Sequence, residues 1–294
     1  MVLWRLLAQE PLTYTKMCFL VNCLKRFKSS QQWLSRQKAD PYVEKAKMFN
    51  YRCRSAFKLL EMNDKTNILT PGLTVIDLGA SPGSWTQVAV QKTNSDGADP
   101  NKPKGTVLAI DKLQIFPIEG ASIMSNMDFS TIDAHDKVIA ALEGRKVDVV
   151  LSDMAPSATG VKELDKDRII GLCYMAIRFA ALVSKVEGSL LFKVWDGKEV
   201  PILQMDLEKF YKNIKIMKPL ASRSESSEKF ILARGFRGIQ RPLRNEKLQN
   251  SIIISSATLN ILCISKCCIR RKKNFFFTNN VVIKVYIFIV KCNT

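Results

Sequence analysis

The sequence predicts an α/β fold with an open sheet. Two observations carry the prediction. Short β-branched runs alternate with turns and helix-compatible segments along most of the 294 residues, the pattern of strands laid down between covering helices. Three of those runs end on an acidic residue, Asp77, Asp111 and Asp153, and the carboxyl edge of such a sheet is where ligands sit.

The first strand and its turn, LTVIDLGASPGSW (73–85), organise the rest. Thr74, Val75 and Ile76 form the strand, Asp77 closes it, and Gly79 and Gly83 bracket a turn opening onto a helix from Trp85 to Gln91. Glycine lets backbone N–H groups approach a ligand, and the helix start adds donors of its own. A nucleotide-like ligand is therefore expected. A dinucleotide pyrophosphate wants G-x-G-x-x-G, whereas here the glycines stand at 79 and 83 with Pro82 between them, which disfavours it. An acidic strand end followed by x-G-x-x-x-G is instead the form of an S-adenosylmethionine site or, on the pattern alone, of an ordinary βα turn with a cap glycine.

Ahead of this turn, residues 40–62 contain a helix with Ala56, Phe57 and Leu60 on its apolar face. Lys45, Lys47, Arg52 and Arg54 read there as RNA phosphate contacts or, on these residues alone and preferably, as a solvated helix face. After it, 93–104 is a polar loop and TVLAI (106–110) a second strand whose terminal Asp111 can accept bonds from ribose hydroxyls. LQIFPIEGA (113–121) reads as a loop with short extended pieces. A helix over about 134–143 carries His135, the only histidine, expected at the surface. VDVVLS (147–152) is a third strong strand ending at Asp153. Asp167–Ser184 reads as a long helix, 188–195 as a buried strand, Pro201–Tyr211 as a helix, and NIKIMKP and EKFILARGF as two closing strands joined by SRSESS. Lys193 is the anomaly: an unpaired ammonium amid Leu190, Leu191, Phe192 and Val194 is costly, so it must snorkel or serve a purpose.

The net charge of +18 is concentrated at the ends. Residues 1–39 hold seven Lys/Arg and one acid and residues 241–294 ten and one, leaving 28 basic against 25 acidic residues between. From Pro11 to Ala39 there is no Asp or Glu, and basic residues interleave with Phe19, Leu20, Leu24, Phe27, Trp33 and Leu34. This is the composition of a mitochondrial transit peptide, with Met17 as an alternative start; a basic arm gripping RNA is the other reading. Residues 40–240 form the folded domain. The tail, 241–294, is rich in Ile, Asn, Lys and Phe with no acid after Glu246, and is expected to be read-through of non-coding sequence or a poorly ordered extension rather than an extra hairpin. Four of the eight cysteines fall in it, and the others show no metal-ligand spacing with His135; free thiols and no metal are expected. No stretch reaches the ~18 uninterrupted apolar residues of a membrane span.

DLGASPGSW, Asp153 in LSDMAP, Lys193 in FKVW, Lys58 in RSAFKLLE and Glu228 in SRSESSEKF together resemble the FtsJ (RrmJ) family of ribosomal RNA ribose 2′-O-methyltransferases over residues 35–238. IFPIEGA, SDMAPSATG and KPLASRSESSE look most like its mitochondrial branch. The resemblance implies a Rossmann-like methyltransferase fold, a seven-stranded, mostly parallel sheet with the last strand antiparallel and helices on both faces. It implies a catalytic tetrad of Lys58, Asp153, Lys193 and Glu228. It places S-adenosylmethionine contacts on Pro82, Gly83, Ser84, Trp85, Asp111, Met127, Asp128 and Asp153, Ser84 departing from a second glycine in the bacterial pattern. The implied reaction is methylation of a uridine ribose in mitochondrial large-subunit rRNA, by a monomer in the matrix acting within a pre-ribosomal particle. Rival readings are a sibling enzyme for tRNA or mRNA caps and an assembly factor that needs no catalysis. For Lys193, the carboxylates Asp153 and Glu228 favour the ammonium, while a sulfonium, Lys58 and desolvation favour the amine, so both a general base and a charge stabiliser are open.

Overall fold

The computed structural model describes Ser35, residues 39–157 and residues 159–239. The expected leader, apart from Ser35 and Ala39, and the tail beyond 240 lie outside the described residues. Among the described residues seven strands form one sheet: β1 (Thr74–Leu78), β2 (Thr106–Ile110), β3 (Ala121–Met124), β4 (Val147–Ser152), β5 (Ser184–Trp195), β6 (Tyr211–Met217) and β7 (Glu228–Phe236). Their order is β3-β2-β1-β4-β5-β7-β6. β1 to β5 run parallel, and β7 is antiparallel to both β5 and β6. Among the described residues these six helices accompany them: α1 (Pro41–Met48), α2 (Ala56–Thr66), α3 (Ser84–Thr93), α4 (Ile132–Ala141), α5 (Lys162–Val183) and α6 (Glu199–Glu208).

Because side chains alternate along a strand, the sheet divides its apolar residues between two cores. Ile76, Leu108, Val150, Leu190, Phe192 and Ile231 pack with α4, α5 and α6. Val75, Val107, Leu151, Leu191, Phe230 and Leu232 pack with α2 and α3. Odd-numbered Lys193 therefore shares the face of Leu191, beneath α2, and this register aims it at the helix carrying Lys58. Glu228 opens β7 opposite Trp195, two residues beyond Lys193. An antiparallel strand begins where its parallel neighbours end, so Glu228 joins the edge defined by Asp77, Asp111 and Asp153.

Several elements differ from the sequence expectation. β3 is four residues long and mostly half-exposed, too short and too mixed to announce itself among loop residues. α1 was hidden in the 40–62 stretch, though Asp40-Pro41 is a legible start: the Asp40 carboxylate accepts from Tyr42 N at 3.1 Å and Pro41 opens the helix. α5 starts five residues before the expected Asp167, with Asp165 accepting from Thr159 N and Oγ1 at 2.9 and 2.7 Å. β5 reaches back to Ser184 through a register shift against β4, an irregularity that alternation alone does not reveal. His135 is half-buried rather than at the surface. Its Nε2 lies 2.9 Å from Phe129 O and its ring packs on Phe129 and Phe179.

Among the described residues Cys53 and Cys173 are free thiols, no cluster of three or more His, Cys, Asp or Glu could hold a metal, and no helix is long and apolar enough to cross a membrane.

Candidate active site

Two lysines and two carboxylates, distant in sequence, meet at the carboxyl edge as two ion pairs. Lys193 Nζ lies 2.8 Å from Asp153 Oδ1 and donates to the Asp153 carbonyl at 2.6 Å. Lys58 Nζ lies 2.6 Å from Glu228 Oε1, which also accepts from Ser222 Oγ at 2.9 Å. Asp153 is further held by Ser55 Oγ, donating to Oδ2 at 3.2 Å. The Lys193 side chain is only 8% exposed and those of Lys58 and Glu228 are 14% and 12%, so these charges interact through little water and removing one partner is expensive. Burial pushes the Asp153 carboxyl up, but the charges of Lys193 and Lys58 and the bonds from Lys193 and Ser55 outweigh it, holding it below the ordinary value. That Lys58 acts on Asp153 links the two pairs electrically. The ammonium of Lys193 has three donors; one is engaged by the Asp153 carbonyl, while the Asp153 carboxylate pairs with its charge.

The turn after β1 is built to be tight. Gly79 N and Ala80 N both donate to Ile110 O, at 2.9 and 3.1 Å. Gly79 has φ +76°, and a Cβ there would lie 2.6 Å from Met154 Cγ and 3.0 Å from its backbone, so the residue after Asp153 packs where a side chain would be. Gly83, at φ +115°, caps α3. No side chain caps this helix, so the N–H groups of its first turn remain for a ligand. Ser84 is buried, its Oγ 3.0 Å from Cys53 Sγ; the hydroxyl in place of a second glycine is absorbed by the protein. Trp85 is buried. Its indole packs against Phe230 and donates to Ser55 O at 2.9 Å, so a ligand can meet only its main chain.

Asp111 spends both oxygens on the backbone, accepting from Ser81 N at 2.9 Å and Leu113 N at 2.7 Å; a carboxylate keeps further lone pairs for hydroxyls. Met127 N donates to the Asp111 carbonyl at 2.9 Å, which sets Met127 and Asp128 beside it. The Asp128 carboxyl lies below its usual value chiefly because Ser130 N–H and its side chain donate to it. Asp77, wholly buried, receives Thr86 Oγ1 at 2.7 Å.

A family model for FtsJ-like methyltransferases matches residues 51–236, the interval containing every residue of the paired site. The chain belongs to the FtsJ-like methyltransferase family. This FtsJ-like enzyme is 54% identical to rRNA methyltransferase 2, mitochondrial, of Drosophila melanogaster over 217 residues, covering 74% of this chain and 87% of the relative. It is 49% identical to ribosomal RNA large subunit methyltransferase E of Cereibacter sphaeroides over 210 residues, 71% and 85% of the two chains. A solved Plasmodium falciparum structure assigned as a ribosomal RNA methyltransferase superposes with a TM-score of 0.54 at 26% identity, over 64% of this chain and all of that one.

The FtsJ-like site also uses residues the sequence did not single out. Ser55 and Ser222 each brace one carboxylate, and common serines carry no pattern to mark them. Arg54 is neither a phosphate contact nor part of a solvated face: it pairs with Asp40 and donates to Ala221 O. Glu61 lies one turn beyond Lys58 on α2, and its carboxylate accepts from Leu220 N at 2.6 Å, Ala221 N at 3.1 Å and Tyr42 OH at 3.2 Å. One helix thus grips the Glu228 side chain through Lys58 and the backbone beside Ser222 through Glu61. Glu61→Ala is expected to lower turnover about tenfold, with a stability loss of about 1–2 kcal/mol from the unmet N–H groups. Glu61→Gln keeps one accepting oxygen but turns an NH2 toward the other loop N–H, and is expected to recover only part of both; unchanged turnover and denaturation midpoint in Glu61→Ala would show that the loop bonds do not matter.

Proposed function

We propose that the enzyme transfers the methyl group of S-adenosylmethionine to the ribose 2′-hydroxyl of a uridine in mitochondrial large-subunit rRNA, in the matrix and on a pre-ribosomal particle. The observation that carries the reading is the pair of partly desolvated Lys–carboxylate bridges beside the glycine turn. The printed names of the fly and bacterial relatives support the class of RNA and, for the former, the compartment.

The residues present fit the cofactor. The uncapped start of α3, at Gly83, Ser84 and Trp85, offers donors to its carboxylate, with Pro82 shaping the approach. Asp111 offers acceptors to ribose hydroxyls, and Met127 and Asp128 line the adjoining strand end. Carboxylates at Asp111 and Asp153 suit a cationic ligand. When bound, it supplies an electrophilic methyl on sulfonium. The protein's task is then to align the hydroxyl and manage one proton. Lys193, whose charge pairs with Asp153, is the group assigned to the hydroxyl: as an amine it takes the proton, as an ammonium it stabilises the developing negative oxygen. Asp153 orients Lys193, and Lys58 with Glu228 holds the ribose side.

The test is methyl transfer from labelled S-adenosylmethionine to large-subunit particles and to naked transcripts, with the modified nucleotide mapped. One ribose-methylated uridine in the particle is expected, and only weak transfer to a short naked oligonucleotide, because residues 40–240 hold only a small excess of positive charge. Cofactor binding without transfer to any large-subunit rRNA would overturn the assignment; efficient turnover on the oligonucleotide would remove the need for the particle.

A further inference from the structure

Arg52 sits two residues before Arg54, in a basic-aromatic stretch that invites reading as an RNA contact. Its guanidinium is spent inside the protein. Nη1 donates to Pro82 O and Phe116 O, each at 2.8 Å, and Nη2 donates to Pro117 O at 2.7 Å. Pro82 belongs to the turn after β1; Phe116 and Pro117 belong to the segment between β2 and β3, which starts at Asp111. One planar fork therefore fastens together the two loops assigned above to opposite parts of the cofactor. The backbone of Arg52 is itself anchored, its N–H donating to Gln87 Oε1 at 2.9 Å while Gln87 Nε2 donates to Asn50 O at 2.8 Å. Gln87 lies in the second turn of α3, so the arm is fixed to the helix whose start faces the ligand.

Gly83 completes the fit. A Cβ at this position would lie 2.7 Å from Arg52 Nη1 and 2.7 Å from Ile118 Cδ1. The space a side chain would fill is occupied by the guanidinium and by the same β2–β3 segment, so the glycine serves the clamp as well as any ligand.

We infer that Arg52 is a positioning residue for the methyl-donor site: it sets the distance between the β1–α3 turn and the β2–β3 segment, and thereby cofactor affinity, without touching RNA. Phe116 is the outward end of this clamp. Phe116 is 70% exposed while its carbonyl is pinned, so Arg52 holds this residue by its backbone. The inference rests on the reading of the cleft as an S-adenosylmethionine site, and the test separates the two.

Calorimetric titration of the full chain with S-adenosylmethionine and, separately, filter binding of large-subunit rRNA are the measurements. The unsubstituted protein must bind S-adenosylmethionine; if it does not, the reading of the cleft fails and not the clamp alone. Arg52→Ala is expected to weaken cofactor binding roughly 10- to 100-fold, the effect of losing charge-assisted bonds at a preorganised site, with rRNA affinity within about twofold. Arg52→Lys keeps the charge but cannot span three carbonyls, and is expected to weaken the cofactor nearly as much. Hydrogen exchange over 112–118 is expected to rise in both variants, and this readout holds even where Arg52→Ala lowers overall stability, since Arg52→Lys can be compared at equal fraction folded. Unchanged cofactor affinity and exchange, or a loss of rRNA affinity that lysine restores, would overturn the inference and make Arg52 a phosphate contact.

Discussion

Lys193→Ala is expected to reduce methyl transfer by about three orders of magnitude, the combined scale of a proton-transfer group and of a preorganised charge at a developing oxyanion. Cofactor affinity should move only a few-fold, because the contacts of Lys193 run to Asp153 and not to the turn after β1. Truncation also leaves Asp153 without its nearest cation, though Lys58 still acts on it, so a stability loss of about 3 kcal/mol or less is expected. Lys193→Arg then separates the two chemical roles. Arginine keeps the charge but does not accept a proton at working pH. A folded, cofactor-binding Lys193→Arg protein retaining about a tenth of the activity would exclude the base; one as inactive as Lys193→Ala would favour it. Single-turnover rates with cofactor bound are the measurement, since they exclude binding and release. Activity in Lys193→Ala close to that of the parent would remove Lys193 from the mechanism.

Asp77 should leave an opposite and larger mark on stability. Burial pushes its carboxyl up to about 7, the bond from Thr86 opposing and the charges of Asp153 and Asp111 adding to the rise. A folded-state value raised above the unfolded one means that the group favours folding most below the unfolded value of about 4, and that this advantage is lost as pH climbs through about 7. The difference between the two values corresponds to on the order of 4 kcal/mol. The uncharged amide of Asp77→Asn matches the carboxyl in shape and can still accept from Thr86. Denaturant titrations are therefore expected to show little difference between parent and variant near pH 4.5, and a variant more stable by a few kcal/mol at pH 8. Asp153 has the reverse sign: its depressed value means stability present above the unfolded value and lost as pH falls below it. An Asp77→Asn protein destabilised equally at both pH values would mean that the parent carboxylate is ionised and satisfied throughout.

Much of the site was legible before any coordinates because its backbone demands are local. Gly79 and Gly83 adopt positive φ, Asp111 closes a strand, and Lys193 stands out as a charge in an apolar run. These depend on neighbours in the chain, and the sequence displays them. β3 and α1 were not resolved, the first because four half-exposed residues carry no period, the second because its start was read as part of a single longer basic stretch.

Arg52 and Arg54 show where local reading stops. Their composition suggested phosphates or solvent, yet Arg52 binds carbonyls at 82, 116 and 117 and Arg54 reaches Asp40 and Ala221. A guanidinium looks the same in a sequence whether its acceptors are RNA or distant main chain. By itself the sequence determined the strand ends and the glycine turn, which follow from local dihedral freedom, and marked Lys193 through the cost of a buried charge, whereas Lys58, Asp153 and Glu228 joined it as a set only through the family resemblance. Only the tertiary structure decided that Lys193 faces α2, that Glu228 arrives at the same edge on an antiparallel strand, and which arginines are used internally. Those facts rest on sheet register and on contacts between segments 30 to 167 residues apart, for which no local pattern exists.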